Sequence, residues 1–377
     1  MDRSRLTGLL ILFALSLGLL QGCSSDSPGQ TKIALCAPMT GNSAQWGEAL
    51  KDGVNMAVDE INKAGGVLGK KFVVEFADDK GDPKEAVNVA QKLVTDRDLA
   101  AVIGHYFTSC TMAASPVYQK AGIPEIAIAS THPDATKAGE YIFRINVTNT
   151  HQGAGIAKWL IEKGKKRIAV IYVNDDYGKG ISQIAIETIK ELGGDPVYVG
   201  TVAPSGEQDF TVLLTNVKNV SPDALALFTF YAAGAQIAIQ AKTLGLDMPI
   251  VASDAIYSPD FIKIAGPSAE GVQVATWFHP DSDDPGTKAF TQAFQARYNK
   301  AADTWSPYAY DAVKVLAEAI KRAGKIDRAA IRDQLAQTKS FKGAVGDTTF
   351  TSDRVPDATA KRLLMTVVQG GKFTLIK

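Results

Sequence analysis

The segment LAAVIGHYFTSCT, residues 99–111, decides how this chain is read. Leu99, Ala100, Ala101, Val102 and Ile103 form an apolar run too short for a helix and without polar alternation, which predicts a strand buried on both faces. The run stops at Gly104, and Thr108, Ser109 and Thr111 follow just beyond its carboxyl end. In an open α/β sheet ligands bind there, where backbone N–H groups at the start of the next helix and a hydroxyl can hold a small anion. A second stretch repeats the arrangement: Ile126, Ala127, Ile128 and Ala129 open into Ser130, Thr131, His132 and Pro133. Two such loops facing each other would line a cleft. The plainer alternative is that Thr108, Ser109 and Thr131 only cap helices, as Ser and Thr do everywhere.

Outward from this pair of loops the βα rhythm holds in both directions. Before them come the strand IALCAP, an amphipathic helix over 45–63 closed by Gly65-Gly66, the strand FVVEFAD and the helix KEAVNVAQKLVTD. Pro116 leaves two options for the helix after the hydroxyl loop: a start at Ser115 with proline in the first turn, or an earlier start with proline inside. After YIFRIN, residues 141–146, the rhythm begins afresh. Helices over 150–164, 179–192, 209–219 and 234–244 alternate with RIAVIYV, DPVYVG, ALALFTF and MPIVAS. Alternation predicts doubly wound parallel sheets, and a restart half-way predicts two of them. After 271–277 three helices follow one another, over 286–299, 307–323 and 327–337, before the strand-like AVGDTTF and KRLLMTVVQ. A first lobe left incomplete needs such helices, so the chain is expected to cross near 145–149, cross back to finish lobe 1, and cross again near Asp347. The expected fold class is α/β, with two doubly wound parallel-sheet lobes joined by a three-strand hinge: lobe 1 from 31–146 plus 278–347, lobe 2 from 147–277 plus 348–377. A triple crossing permits hinge closure around a ligand.

Composition agrees with a two-domain globular chain. Of its 377 residues 46% are hydrophobic and 21% charged, Lys plus Arg equals Asp plus Glu, and no basic run marks a nucleic-acid partner. The amino terminus differs: Arg3 and Arg5 precede LLILFALSLGLL, and Gln21-Gly22-Cys23 follows. A basic start, about a dozen apolar residues and a small residue at the break predict a secretory signal over 1–22 rather than a membrane span. The cysteine resembles that of a bacterial lipobox, so Cys23 is the expected lipidation site, with 23–30 as a tether. The membrane is then met through the lipid alone. Export permits a disulfide between Cys36 and Cys110, the other two cysteines, but two buried thiols are the reading preferred here. No metal-type spacing occurs, the first βα turn APMTGNSAQWG lacks a dinucleotide fingerprint, and no P-loop or nucleophile elbow is present. His105, His132, His151 and His279 are the only histidines; His105 and His132 fall near the expected cleft, but a lone loop histidine is more often polar surface than a metal or catalytic group. Neither enzyme, cofactor nor metal is expected.

In order along the chain, PMTGNSAQWGEALKDGVNMAVDEINKAGGVLG, ADDKGDPKEAV, VIGHYFTSCT, AGIPEIAIASTHP, NDDYGKG, GEQDF, FYAAG and SAEGV resemble the branched-chain amino-acid class of periplasmic binding proteins, which serve bacterial ABC importers. The resemblance spans nearly all of the chain after the tether. It implies an exported, monomeric protein that captures an amino acid, branched-chain or otherwise aliphatic, and delivers it to an ABC permease. It also implies roles for residues. Thr108 stands where the family has a serine that holds the ligand carboxylate through hydroxyl and N–H, with Ser109, Ser130 and Thr131 in the surrounding loops. Ala129 stands where a backbone carbonyl accepts from the ammonium, and Thr131 where a hydroxyl also reaches the ligand. Asp254, in VASDAIY, stands where an acid pairs with the ammonium. Tyr177 and Tyr231 match aromatics that the second lobe brings over the ligand, and Trp46 an aromatic lining the side-chain pocket. An acid shut in a cleft without a cation is costly, so Asp254 itself predicts a cationic ligand group; a solvated loop carboxylate is the alternative. Three departures concern specificity. Gly81 and Phe107 occupy positions that form a disulfide in some relatives and cannot form it here, Asp254 replaces the more usual Glu, and Tyr106 and Phe107 replace smaller residues beside the carboxylate site, where Tyr106 would narrow the pocket or make it aromatic if it faces inward. An aromatic or small amino acid, another metabolite, or a sensor of the same fold signalling to a separate receptor are the alternatives.

Overall fold

The computed structural model describes residues 29–376; the signal segment, Cys23 and nearly all of the tether lie outside them. The first half runs β1 (Gln30–Ala37), α1 (Ala44–Lys63), β2 (Lys71–Asp78), α2 (Pro83–Leu93), β3 (Leu99–Ile103), α3 (Thr108–Ala121), β4 (Glu125–Ala127) and β5 (Ile142–Arg144). These five strands form one parallel sheet in the order β2-β1-β3-β4-β5. All five residues of β3 are buried, as an apolar run without alternation requires. The Gly65-Gly66 pair ends α1 with both residues at positive φ, their N–H groups bonded to Asn62 and Ile61.

The second unit runs α4 (Asn149–Glu162), β6 (Arg167–Val173), α5 (Asp176–Glu191), β7 (Asp195–Val202), α6 (Thr211–Asn219), β8 (Ala224–Phe228), α7 (Tyr231–Thr243), β9 (Ile250–Ala252), α8 (Pro259–Ala265) and β10 (Gln273–Thr276). Next come α9 (Pro285–Tyr298), α10 (Ser306–Ala323), α11 (Arg328–Ala336), the hairpin β11 (Phe341–Gly343) and β12 (Gly346–Thr348), and finally β13 (Leu364–Gln369) and β14 (Lys372–Leu375). The second sheet has the order β14-β13-β10-β9-β8-β6-β7. Its β6 to β10 are parallel, but β13 pairs antiparallel with β10 and with β14. The expected parallel sheet is thus extended at one edge by an antiparallel pair. Gly370 and Gly371, both at positive φ, turn the chain straight back, the geometry of a tight hairpin.

The late helices pack on the first sheet. Phe290, Phe294, Leu316 and Ile331 share a core with Ile33, Leu50 and Phe143. A side chain at Gly53 would lie 2.0 Å from the Ser306 carbonyl oxygen, so glycine lets α1 and α10 touch. The third passage between lobes lies beyond 357 rather than near Asp347. Phe350 is buried in the first core, and the Arg354 guanidinium donates to the carbonyls of Ile142 and Thr136 at 3.0 and 2.9 Å. Leu363 packs on the second core. Pro116 sits inside α3, which starts at Thr108. The helix expected from 234 begins at Tyr231. Cys36 and Cys110 are both buried free thiols.

Candidate functional site

Each sheet reverses its strand order once, between β1 and β3 in the first and between β6 and β8 in the second. Ligand crevices form outside the carboxyl ends of strands at such switch points. Loops from these ends meet across the cleft, enclosing a cavity of about 20 Å³ lined by Tyr106, Phe107, Thr108, Ala129, Thr131, Tyr177, Phe230, Asp254, Ala255 and Trp305.

Thr108 is the first residue of α3, not its cap. The cap position is Phe107, extended at φ −74° and ψ 139°, and no side chain accepts from the first turn. That leaves the helix start for an anion. The Thr131 N–H donates to Thr108 Oγ1 at 3.4 Å, so the two hydroxyl loops do face each other. Nor is Thr131 a cap: His132 caps the following turn, its Nδ1 accepting from the Asp134 N–H, and the buried Thr131 hydroxyl has no partner among the described residues. Arg144 fastens this loop from behind, donating to the carbonyls of His132 at 2.6 Å and Ser130 at 3.2 Å. Burial with no carboxylate in contact pushes the Arg144 guanidinium down to about 9.

Opposite stands Asp254, 3% exposed, immediately after β9. Burial pushes its carboxyl up to about 7, with the neighbouring Gln152 amide favouring the charged form. None of the ion pairs among the described residues reaches it. Tyr177 Oη lies 2.5 Å from Ser253 Oγ, which fixes that ring beside the acid. Burial, with the Asp254 charge adding to it, raises the Tyr106, Tyr177 and Tyr308 phenols far above their ordinary value, so all three stay neutral.

Of the residues singled out in the sequence, Tyr106, Thr108, Ala129, Thr131, Tyr177 and Asp254 line the cavity. Trp46 stands behind Tyr106, the two rings stacked at 5.4 Å and 14°. Tyr231 lies at the cleft mouth, edge-on to Trp46 at 5.6 Å and donating from its hydroxyl to the Asn42 carbonyl at 2.9 Å. Trp46 and Tyr231 instead line an outer hollow of about 540 Å³. Ser109 and Ser130 are not brought to the cavity: Ser109 is half-buried, and Ser130 is buried behind the loop with its hydroxyl unpartnered. Phe107, read in the sequence as a larger residue beside the carboxylate site, is a wall of the cavity, and sequence reasoning missed Phe230, Ala255 and Trp305. Phe230 caps α7 as Phe107 caps α3, a repeated loop-to-helix position that could have marked both. His105 is buried with Nδ1 at 2.6 Å from Asp79 and Nε2 at 3.2 Å from the Tyr118 hydroxyl, and His279 contacts the Phe373 carbonyl at 3.2 Å.

Two doubly wound lobes that close loops, hydroxyls and one buried acid on a small cavity define a cleft-binding protein. The chain belongs to the periplasmic binding protein family, whose model matches residues 30–372. It is 33% identical to the leucine-, isoleucine-, valine-, threonine- and alanine-binding protein of Pseudomonas aeruginosa, over 85% of each chain. With the leucine-specific-binding protein of Salmonella typhimurium it shares 32% identity, over 83% of this chain and 84% of that one. Among solved structures, the branched-chain amino acid transporter substrate-binding protein LivJ of Streptococcus pneumoniae, in complex with isoleucine, superposes with a TM-score of 0.84 at 32% identity, covering 92% of this chain and 99% of that one. The leucine-binding protein LivK of Thermotoga maritima gives 0.86 at 29%, covering 92% and 98%. The chain's role is therefore that of a substrate-binding protein.

Proposed function

We propose that this protein captures an amino acid, branched-chain or otherwise aliphatic, between its lobes outside the cytoplasm and hands it to an ABC permease without chemically changing it. It works as a monomer, held at the membrane by a lipid on Cys23. The observation that carries this reading is Asp254, an acid in the closed cleft with no cationic side chain among the described residues paired to it. An α-ammonium supplies the missing charge, and the first turn of α3 with the Thr108 hydroxyl receives the carboxylate. Charge-assisted hydrogen bonds at both ends of a zwitterion give strength that neutral contacts cannot. The tyrosine and phenylalanine rings around it leave only an apolar side chain to be accommodated.

Calorimetric titration of the refolded, ligand-stripped protein against all twenty amino acids tests this. Heat with aliphatic amino acids and none with acidic or basic ones is expected. Silence across the panel would contradict the reading.

A further inference from the structure

The wall of the cavity around Tyr106 is built unequally by the two lobes. Tyr106, 3% exposed, stacks on Trp46 and meets Trp305 edge-on at 5.5 Å and Phe107 edge-on at 5.0 Å. All four rings belong to lobe 1, where Trp46, Tyr106 and Trp305 share one core with Phe107 packed against it. Opening the hinge widens the gap between lobes but leaves this wall standing. Phe107 is seated in turn on Gly81, where a side chain would come within 2.7 Å of its ring. Across the cleft Phe230 meets Phe107 edge-on at 5.0 Å and stacks on Tyr177 at 5.7 Å, closing the way to the outer hollow. What remains is about 20 Å³, the space of roughly one water.

We propose that Tyr106 is a specificity-determining residue that limits the ligand to amino acids of alanine size or smaller. The proposal rests on the amino-acid reading above. Lobe separation makes room for the ammonium and carboxylate between Asp254 and Thr108, because those two groups stand on opposite lobes. It makes none behind the Tyr106 ring. A leucine side chain would have to unstack Tyr106 from Trp46 or part Phe107 from Phe230. Forcing extra methylenes into a filled core weakens binding by about ten- to a hundredfold in all.

The test is calorimetric titration of ligand-stripped wild type, Tyr106→Leu, Tyr106→Phe and Phe107→Ala with glycine, L-alanine and L-leucine, each variant checked for a cooperative melt. Wild type and Tyr106→Phe should prefer alanine or glycine over leucine by about tenfold to a hundredfold. Tyr106→Leu should gain leucine binding while keeping alanine. Wild type binding leucine as tightly as alanine would overturn the proposal, as would leucine binding gained only by Phe107→Ala. Should Tyr106→Leu not fold, loss of the preference in Tyr106→Phe would overturn it equally. Silence of every variant toward all three amino acids, by contrast, would sink the amino-acid reading itself.

Discussion

Asp254 sets the behaviour of the site at the scale of a single residue. Its carboxyl is pushed up to about 7 by burial, so the empty cleft takes a proton near neutrality. An ammonium needs the ionised form, so binding below that pH must expel the proton. Affinity should therefore be flat between pH 8 and 9 and fall about tenfold per pH unit below about 7. Calorimetry in buffers of different ionisation enthalpy checks both the slope and the released proton. The same group affects stability with the opposite partner. An acid whose folded value lies above its unfolded 3.8 contributes less stability as pH rises through the window from 3.8 to about 7. The full charge costs the empty protein up to roughly 4 kcal/mol above that window. Asp254→Asn should raise the melting temperature of ligand-free protein at pH 8 and hardly alter it at pH 4, as thermal unfolding will show.

At the scale of the element, the turn of α3 and the loops around it were legible because their signals are local. An apolar run of five residues, a glycine and a group of hydroxyls name a strand, its end and a helix start. Phe230 and Trp305 were not legible as walls, because large aromatics read as core in any sequence and only the tertiary fold brings residue 305 beside residue 106. The third passage was placed too early for a similar reason. Residues 349–357 are mostly polar, and their attachment to lobe 1 depends on Arg354 reaching carbonyls more than 200 positions away. Hairpin β11–β12 depends on one such distant contact: Asp311 in α10 accepts from the N–H groups of Ala344 and Val345 at 2.8 and 2.9 Å. Its carboxyl is pushed up to about 6 by burial. Asp311→Ala strands two buried donors and should cost roughly 2–4 kcal/mol in denaturant unfolding, with Asp311→Asn losing about half of that.

For the whole molecule, the restart of the βα rhythm and the late run of helices were enough to predict two lobes and repeated crossing. The antiparallel strand pair was not predicted, since β14 is short and only half-buried. Contacts that hold the lobes together across the cleft include Phe107 on Phe230, Tyr231 on Trp46 and donating to the Asn42 carbonyl at 2.9 Å, and Gln45 within 3.5 Å of the Ser258 hydroxyl. An edge-to-face aromatic pair is worth about 0.5–1.5 kcal/mol, comparable to the bias of a hinge equilibrium. Phe230→Ala should shift ligand-free protein toward the open form, seen as a larger radius of gyration in small-angle scattering. Ligand affinity should fall by about tenfold while the charge-pairing residues stay intact.

The most direct test of the account compares an amino acid with the same molecule lacking its amine. Titrating wild type and Asp254→Asn with L-alanine and with propionate, at pH 8, isolates the contact between ammonium and carboxylate. Wild type is predicted to bind alanine at least a hundredfold more tightly than propionate, and Asp254→Asn to lose most of that preference. Equal binding of the two ligands by wild type, or an undiminished preference in Asp254→Asn, would contradict the assignment of Asp254 as the group that recognises the amine.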